Sequence, residues 1–322
     1  MSISINLTAP DISVSPSTAP RLVMGPVLFH WSPEILRDFY ARIADEADVD
    51  VVHVGEVVCA KRMPFFNNDW PDIIERLQRA GKQVVVSTLA LVMGDREVAL
   101  IRDLADMPDV LIEANDLSAI GILGGRPHMV GPYVNIYNEG TLRYMVERGA
   151  VRVAMPWELP QTSIASLCKA RGPAEIEMQV FGRVPLAISA RCYSARAHGL
   201  HKDGCRFVCG DAPDGMNVDT LDGAPFLAVN GLQTLSGTYL ELSDEMADLH
   251  DMGVSLFRLS PHRCDMVAIS ALYQQVLNGE IAPAQARGHI LDVAGDISVA
   301  NGFLHAIPGA DLYRIPSDLQ PE

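Results

Sequence analysis

An α/β fold, a single (β/α)8 TIM-like barrel with a cysteine-bearing insertion before its last strand, is what the sequence predicts. Three observations carry it. Short β-branched runs alternate with amphipathic stretches at intervals of about 20 to 30 residues from Arg21 onward, the rhythm of βα units around a parallel sheet. Eight such runs can be picked out, and an eight-fold count favours a closed barrel over a doubly wound open sheet, which stays as the alternative. The last interval breaks the rhythm, because about 75 residues separate Phe181 from Ser255.

In chain order the strand candidates are Leu22 to Phe29, Val51 to Val54, Gln83 to Leu89, Val110 to Glu113, Met129 to Val134, Val151 to Met155, Glu175 to Phe181 and Ser255 to Leu259. The helices between them have recognisable ends. Ser32 is placed as an N-cap with Pro33 at the first helical position, followed by an apolar face of Ile35, Leu36, Phe39, Tyr40 and Ile43. Gly81 and Gly149 stand where helices would end. The first twenty residues are rich in Ser, Thr and Pro and read as a flexible extension, leaving residues 21–322 for the barrel and about 182–254 for the insertion.

Composition narrows the function. The chain has 322 residues, 48% hydrophobic and 20% charged, which excludes a disordered or fibrous protein. Its net charge of −15 repels polyanions, so nucleic acid and anionic membrane surfaces are poor partners. No apolar run reaches the roughly 20 residues of a membrane helix, and the N-terminus has neither the basic start nor the apolar stretch of a signal peptide. A cytoplasmic location is therefore expected, where six cysteines serve metal binding or catalysis better than disulfides.

Cys192, Cys205 and Cys209 form a C-x12-C-x3-C pattern in a loop rich in Gly and charge. Three thiolates call for a fourth ligand, and spacing leaves Cys59 and Cys264 both open, since each follows a predicted strand end. Cys168 falls on the buried face of a predicted helix and reads as a core residue. Arg183, Arg191, Arg196, Lys202 and Arg206, with Lys61 and Arg62 after Cys59, make a cationic patch; such cations lower thiol pKa values and offset the charge of a thiolate-bound metal. Charge alone does not separate zinc from iron, although scattered single ligands fit a cluster better than paired zinc knuckles. Dinucleotide, P-loop, zincin and hydrolase motifs are absent.

The segments LVMGPVLFHW, VVHVGEVVCAKR, GKQVVVSTLALV, LIEANDLSAI, VRVAMPWELP, VFGRVPLAISARCYSAR, NGLQTLSG and FRLSP, in order over residues 22 to 261, resemble the ubiquinone-biosynthesis branch of the U32 peptidase-like family. The resemblance implies a [4Fe-4S] cluster held by one early cysteine in a G-E-x-x-C-x-K-R context and a C-x12-C-x3-C set, which maps onto Cys59, Cys192, Cys205 and Cys209. It thus selects Cys59 over Cys264 and iron over zinc. It further implies a heterodimer with a UbiU-type subunit, help from the lipid-binding accessory protein UbiT, and oxygen-independent hydroxylation of the aromatic ring of ubiquinone precursors with prephenate as oxygen donor. A non-catalytic partner role is the alternative. Sister proteins are described as collagenase-like peptidases, but the sequence offers no Ser/His/Asp or Cys/His/Asn arrangement for proteolysis.

Two further residues are catalytic candidates. Glu56 stands three residues before Cys59, as an acid or base or as an ion-pair partner of Lys61 or Arg62. Arg258 ends the last predicted strand and suits a dicarboxylate such as prephenate, with a structural ion pair as the competing role. His53 reads as a hydrogen-bonded barrel-interior residue, His198 and His201 as loop histidines, and Asn135 and Asn138 as turn formers.

Overall fold

The computed structural model describes residues 19–107 and 110–314; the extension assigned to residues 1–20 lies outside them except for its last two residues. Eight parallel strands close into a barrel: β1 (Arg21–Met24), β2 (Val51–Val54), β3 (Gln83–Ser87), β4 (Leu111–Ala114), β5 (His128–Val130), β6 (Ala150–Ala154), β7 (Glu175–Ile188) and, after an intervening meander, β11 (Leu256–Leu259). Closure comes from β11, which pairs with β1 (Arg21↔Leu256 to Met24↔Leu259) on one side and with β7 on the other.

All eight strand expectations fall on these elements, and their ends move for local reasons. The first stops at Met24 because Gly25 and Pro26 follow, and Pro has no N–H for the ladder. The third ends at Ser87 and the fifth at Val130, where Gly131 and Pro132 open a 3-10 turn, Pro132–Val134. The seventh runs seven residues past Phe181. Gly182 (φ +102°) lets the strand turn there; a Cβ would sit 2.7 Å from that of Ser260. Beyond it β7 pairs antiparallel with β10 (Gln233–Glu241), which continues to β9 (Pro225–Asn230) and β8 (Met216–Asp219). This meander, with α7 (Tyr193–Ala197) and α8 (Met246–Met252), fills the interval between Phe181 and Ser255.

The remaining helices ring the barrel: α1 (Pro33–Glu46), α2 (Trp70–Arg79), α3 (Asp95–Ala105), α4 (Leu117–Leu123), α5 (Glu139–Glu147), α6 (Gln161–Ala170), α9 (Met266–Leu277) and α10 (Pro283–Ala294). Ser32 caps α1, its hydroxyl accepting from the Ile35 N–H at 3.4 Å, and Gly81 and Gly149 follow the ends of α2 and α5 with positive φ. Among the described residues no helix is long and apolar enough to cross a membrane.

Alternation along the strands sorts their side chains into two buried faces. Outward residues such as Leu22, Met24, Val52, Val54, Val84 and Val86 join the helices in the main core. Inward residues stack in three layers. At the N-terminal end Arg152 donates to Glu175 (3.0 and 3.1 Å) and to Gln83 (2.9 Å), with Arg21 also on Glu175. Val23, Val51, Val85, Leu111, Met129 and Leu256 form an apolar middle. The upper layer is polar again, built from His53, Ser87, Glu113, Glu177 and Arg258.

Removing one partner of a buried pair strands the other charge. Glu175→Ala should lower unfolding stability by about 3–5 kcal/mol, the range for a broken buried pair, whereas Arg79→Ala, which breaks only the exposed Arg79–Glu75 pair, should cost less than about 1 kcal/mol; urea denaturation of both variants checks the contrast.

Candidate functional site

The loop after β2 is set by its own sequence. Gly55 takes φ +108° where a Cβ would lie 2.6 Å from the Ser87 carbonyl oxygen. The Glu56 carboxylate then accepts the N–H groups of Val58 (2.8 Å) and Cys59 (2.9 Å), which aims Cys59 at the start of a 3-10 turn, Ala60–Phe65. Arg62 in that turn is almost wholly buried, 3.8 Å from Glu56. It donates to the Leu28 carbonyl (3.1 Å) and to Asn230 Oδ1 (2.6 Å), while Asn230 Nδ2 donates to the carbonyls of Cys209 and Ala212. One guanidinium thereby joins the loop after β1, the loop after β2 and the end of β9. Gly231 (φ +68°) leaves it room, since a Cβ there would lie 2.4 Å from Arg62 Nη2.

Around this anchor Cys59, Cys192, Cys205 and Cys209 line one small recess together with Lys61, Arg62, Lys202 and Gly231. Cys192 begins α7, its sulfur accepting the Ala195 N–H at 3.4 Å. Arg206 and Phe207 adopt left-handed conformations (φ 50° and 56°), which turns the chain back between Cys205 and Cys209. Lys61 Nζ ties the recess to the segment from the insertion, donating to the Lys202 carbonyl (2.7 Å) and to Asp203 (3.2 Å). Burial pushes the thiols of Cys59 and Cys209 up, and the Arg62 guanidinium pulls against it in both. Among the described residues no three Cys, His, Asp or Glu side chains converge tightly enough to hold a single metal ion; the four thiols share the recess as its walls. Four sulfurs, two lysines and an arginine are a donor set with charges suited to a dianionic thiolate cluster.

The geometry separates the two fourth-ligand candidates that spacing left open. Cys264 lies outside this recess, its sulfur 3.6 Å from that of Met266, in a groove between α1 and the start of α9, and burial pushes its thiol up to about 12. Cys168 is buried in α6. The cationic patch shrinks: Arg191, Arg196 and Arg206 are exposed and do not line the recess, and Arg183 is occupied by the carbonyls of Ser236 and Gly237. His198 and His201 are exposed as well, Asn135 ends the turn after β5, and Asn138 caps α5 through the Thr141 N–H.

An aromatic wall flanks the cysteines. His30 lies 5.6 Å from the Phe207 ring and 5.2 Å from Phe65. Burial, aided by the Arg62 charge, lowers its pKa to about 4.

At the barrel mouth Arg258 donates to Glu177 and to Glu113, each at 2.5 Å. Its fork is committed to these carboxylates, so the dicarboxylate role expected of it meets a guanidinium already paired; Glu56 likewise holds backbone and Arg62. Burial opposes ionisation of Glu113, yet Arg258, with His53 and Ser87, outweighs it and holds the carboxyl well below the usual carboxylate range. Ser87 Oγ donates to Glu113 Oε2 (2.5 Å) and lies 3.3 Å from His53 Nδ1, fully enclosed. Above them the buried Tyr133 hydroxyl has no partner and its ring meets Trp157 edge-on at 5.2 Å. Glu113, Glu177, Ser87 and Tyr133 were missed in the sequence; the signal was a polar residue at alternate positions of apolar runs, as in V-V-V-S and L-I-E.

The model of peptidase family U32 matches residues 31–311, which takes in seven of the eight barrel strands and all four recess cysteines. This chain belongs to peptidase family U32. Among solved structures, the dihydropteroate synthase of Xanthomonas albilineans aligns with this U32 chain at 14% identity and a TM-score of 0.43, over 84% of this chain and 94% of that one.

Two outcomes follow for this U32 site. Gly231→Ala should destabilise the fold by about 1–3 kcal/mol through displacement of Arg62. Gly279→Ala, also at positive φ (+70°) but facing open space, should lose only about 1 kcal/mol in the same urea titration. For pH, folded His30 binds a proton less readily than the unfolded residue, so its contribution is fully present above about 6.5 and is lost as pH falls toward 4. Urea midpoints across that window should fall less steeply in His30→Phe than in the parent.

Proposed function

We propose that this U32 protein is a [4Fe-4S] subunit of the UbiV type, which acts with a UbiU-type partner, assisted by UbiT, in oxygen-independent hydroxylation of the aromatic ring of ubiquinone precursors, with prephenate as oxygen donor. The observation that carries the reading is the convergence of Cys59, Cys192, Cys205 and Cys209 in one recess that excludes Cys168 and Cys264. When bound, such a cluster supplies one-electron transfer or Lewis-acid activation of an oxygen donor. The chain's own residues position the thiols: Glu56 fixes the Cys59 loop, Arg62 and Lys61 bring the insertion onto it, and the Ala195 N–H points at the Cys192 sulfur.

A second reading, a non-catalytic iron–sulfur partner, draws on the barrel mouth, where Arg258, Glu113 and Glu177 close on one another. It differs in predicting no change in the redox state of the cluster during turnover of the reconstituted heterodimer. Peptide hydrolysis is disfavoured because the Ser87–His53–Glu113 contact is sealed within the barrel and its hydroxyl donates to the carboxylate instead of the imidazole.

Anaerobic purification with iron, acid-labile sulfide and optical analysis tests the central claim. About four irons and four sulfides per chain are expected, lost in Cys59→Ala and kept in Cys264→Ala. Zinc in place of iron, or a full cluster in Cys59→Ala, would overturn it.

A further inference from the structure

Three cations line the cysteine recess, and two of them are engaged away from it. Lys61 Nζ donates to the Lys202 carbonyl (2.7 Å) and to Asp203 (3.2 Å), and Lys202 Nζ lies 3.5 Å from the Met93 sulfur. Arg62 differs. Its side chain is almost wholly enclosed, so water neither screens its charge nor accepts from it. Nη1 donates to the Leu28 carbonyl and Nη2 to Asn230, while Nε has no acceptor among the described residues. A buried N–H left unpaired is costly and therefore rare.

Sulfur is what stands beside this guanidinium. Arg62 shares the recess with the four thiols, and it favours the thiolate of Cys209 through both its charge and hydrogen bonding, that of Cys59 through charge. The Glu56 carboxyl, 3.8 Å from Nη1, offsets part of the positive charge. The directed N–H, more than net charge, is then what Arg62 brings to the recess. A [4Fe-4S] cluster on four thiolates carries a charge of about −2 when oxidised and about −3 after taking up one electron. A donor aimed at a ligand sulfur stabilises the more negative state more strongly and so raises the reduction potential.

We propose that Arg62 Nε donates a hydrogen bond to the Cys209 sulfur of the bound cluster and thereby sets the cluster's reduction potential, beyond holding the recess together. The inference rests on the cluster reading above and gives its anchor residue a redox role. Lysine is no substitute, because it places a methylene where arginine has Nε.

Electron–nuclear double resonance tests the contact on full-length protein carrying ¹⁵N-guanidino arginine, purified anaerobically and reduced with dithionite. The parent should show a ¹⁵N coupling to the reduced cluster that disappears in Arg62→Lys and persists in Arg206→Lys, which alters the exposed neighbour of Cys205. Redox titration of the same samples should give Arg62→Lys and Arg62→Gln an equilibrium constant for reduction about tenfold smaller than the parent's, a fall in potential of about 59 mV for one electron. A merely structural Arg62 would lower the iron content and leave the potential of the remaining clusters unchanged, and that result would overturn the proposal. So would a parental potential in Arg62→Lys, which would assign the effect to charge alone. If neither Arg62 variant retains iron, the parent spectrum decides: a ¹⁵N coupling that persists in Arg206→Lys supports the contact, and its absence overturns it. Iron and acid-labile sulfide measured on the parent keep the two readings apart. A parent without a cluster would overturn both, whereas a parent with a cluster and no ¹⁵N coupling would overturn the role of Arg62 alone.

Discussion

The buried guanidinium of Arg62 is the constraint on which the cysteine recess depends. A charge in a protein interior is tolerated only when its hydrogen bonds are supplied, and here the supply comes from segments far apart in sequence: the Leu28 carbonyl and Asn230 Oδ1, with Glu56 3.8 Å away. Satisfying Arg62 brings the insertion down onto the rim of β1 and β2. Asn230 transmits that placement to Cys209 by accepting from Arg62 and donating to the Cys209 carbonyl. The position of the last cysteine is thus tied to the residue three places after the first.

The barrel interior obeys a similar rule at two levels. Each polar layer pairs arginine with glutamate, Arg152 with Glu175 below and Arg258 with Glu113 and Glu177 above, and an apolar layer separates them. Such pairs contribute little net stability relative to hydrocarbon of the same shape, but breaking one is costly. Glu175 and Glu177 are two residues apart on β7, so strand alternation turns both carboxylates into the barrel interior.

The barrel was readable because short β-branched runs and their spacing report strand number directly, and all eight runs correspond to strands. The boundaries shifted where backbone chemistry overrides side-chain pattern, at Gly25-Pro26 and at Gly131-Pro132. The meander was not readable: Met216–Asp219 is largely exposed, with no buried face to impose a hydrophobic pattern, and β9 is buried only from Ala228 onward. Among the site residues, the four cysteines could be named from spacing and resemblance, and spacing alone left Cys59 and Cys264 level. What separates them is a three-dimensional fact, the reach of Arg62 to Asn230, which no local motif encodes. Arg258 was recognised as a charged residue at a strand end, while its carboxylate partners, scattered over β4 and β7, were not.

Barrels of this class place their chemistry at the C-terminal ends of the strands, near the axis. In this U32 chain the axis is occupied at that height by the Arg258 network, and the most reactive side-chain type, the thiol, stands off to one side above β1 and β2. The displacement follows from the route of the chain. Because β7 continues beyond the barrel as a partner for β10, the insertion leaves the sheet at its rim and returns across the β1 and β2 loops, where Gln233 Nε2 and Arg62 both donate to the Leu28 carbonyl. Whatever the recess holds is therefore gripped by the insertion on one face and the barrel on the other. A change on either side, in the Glu56 turn or in the Asn230–Gly231 corner, reaches the thiols through the same guanidinium.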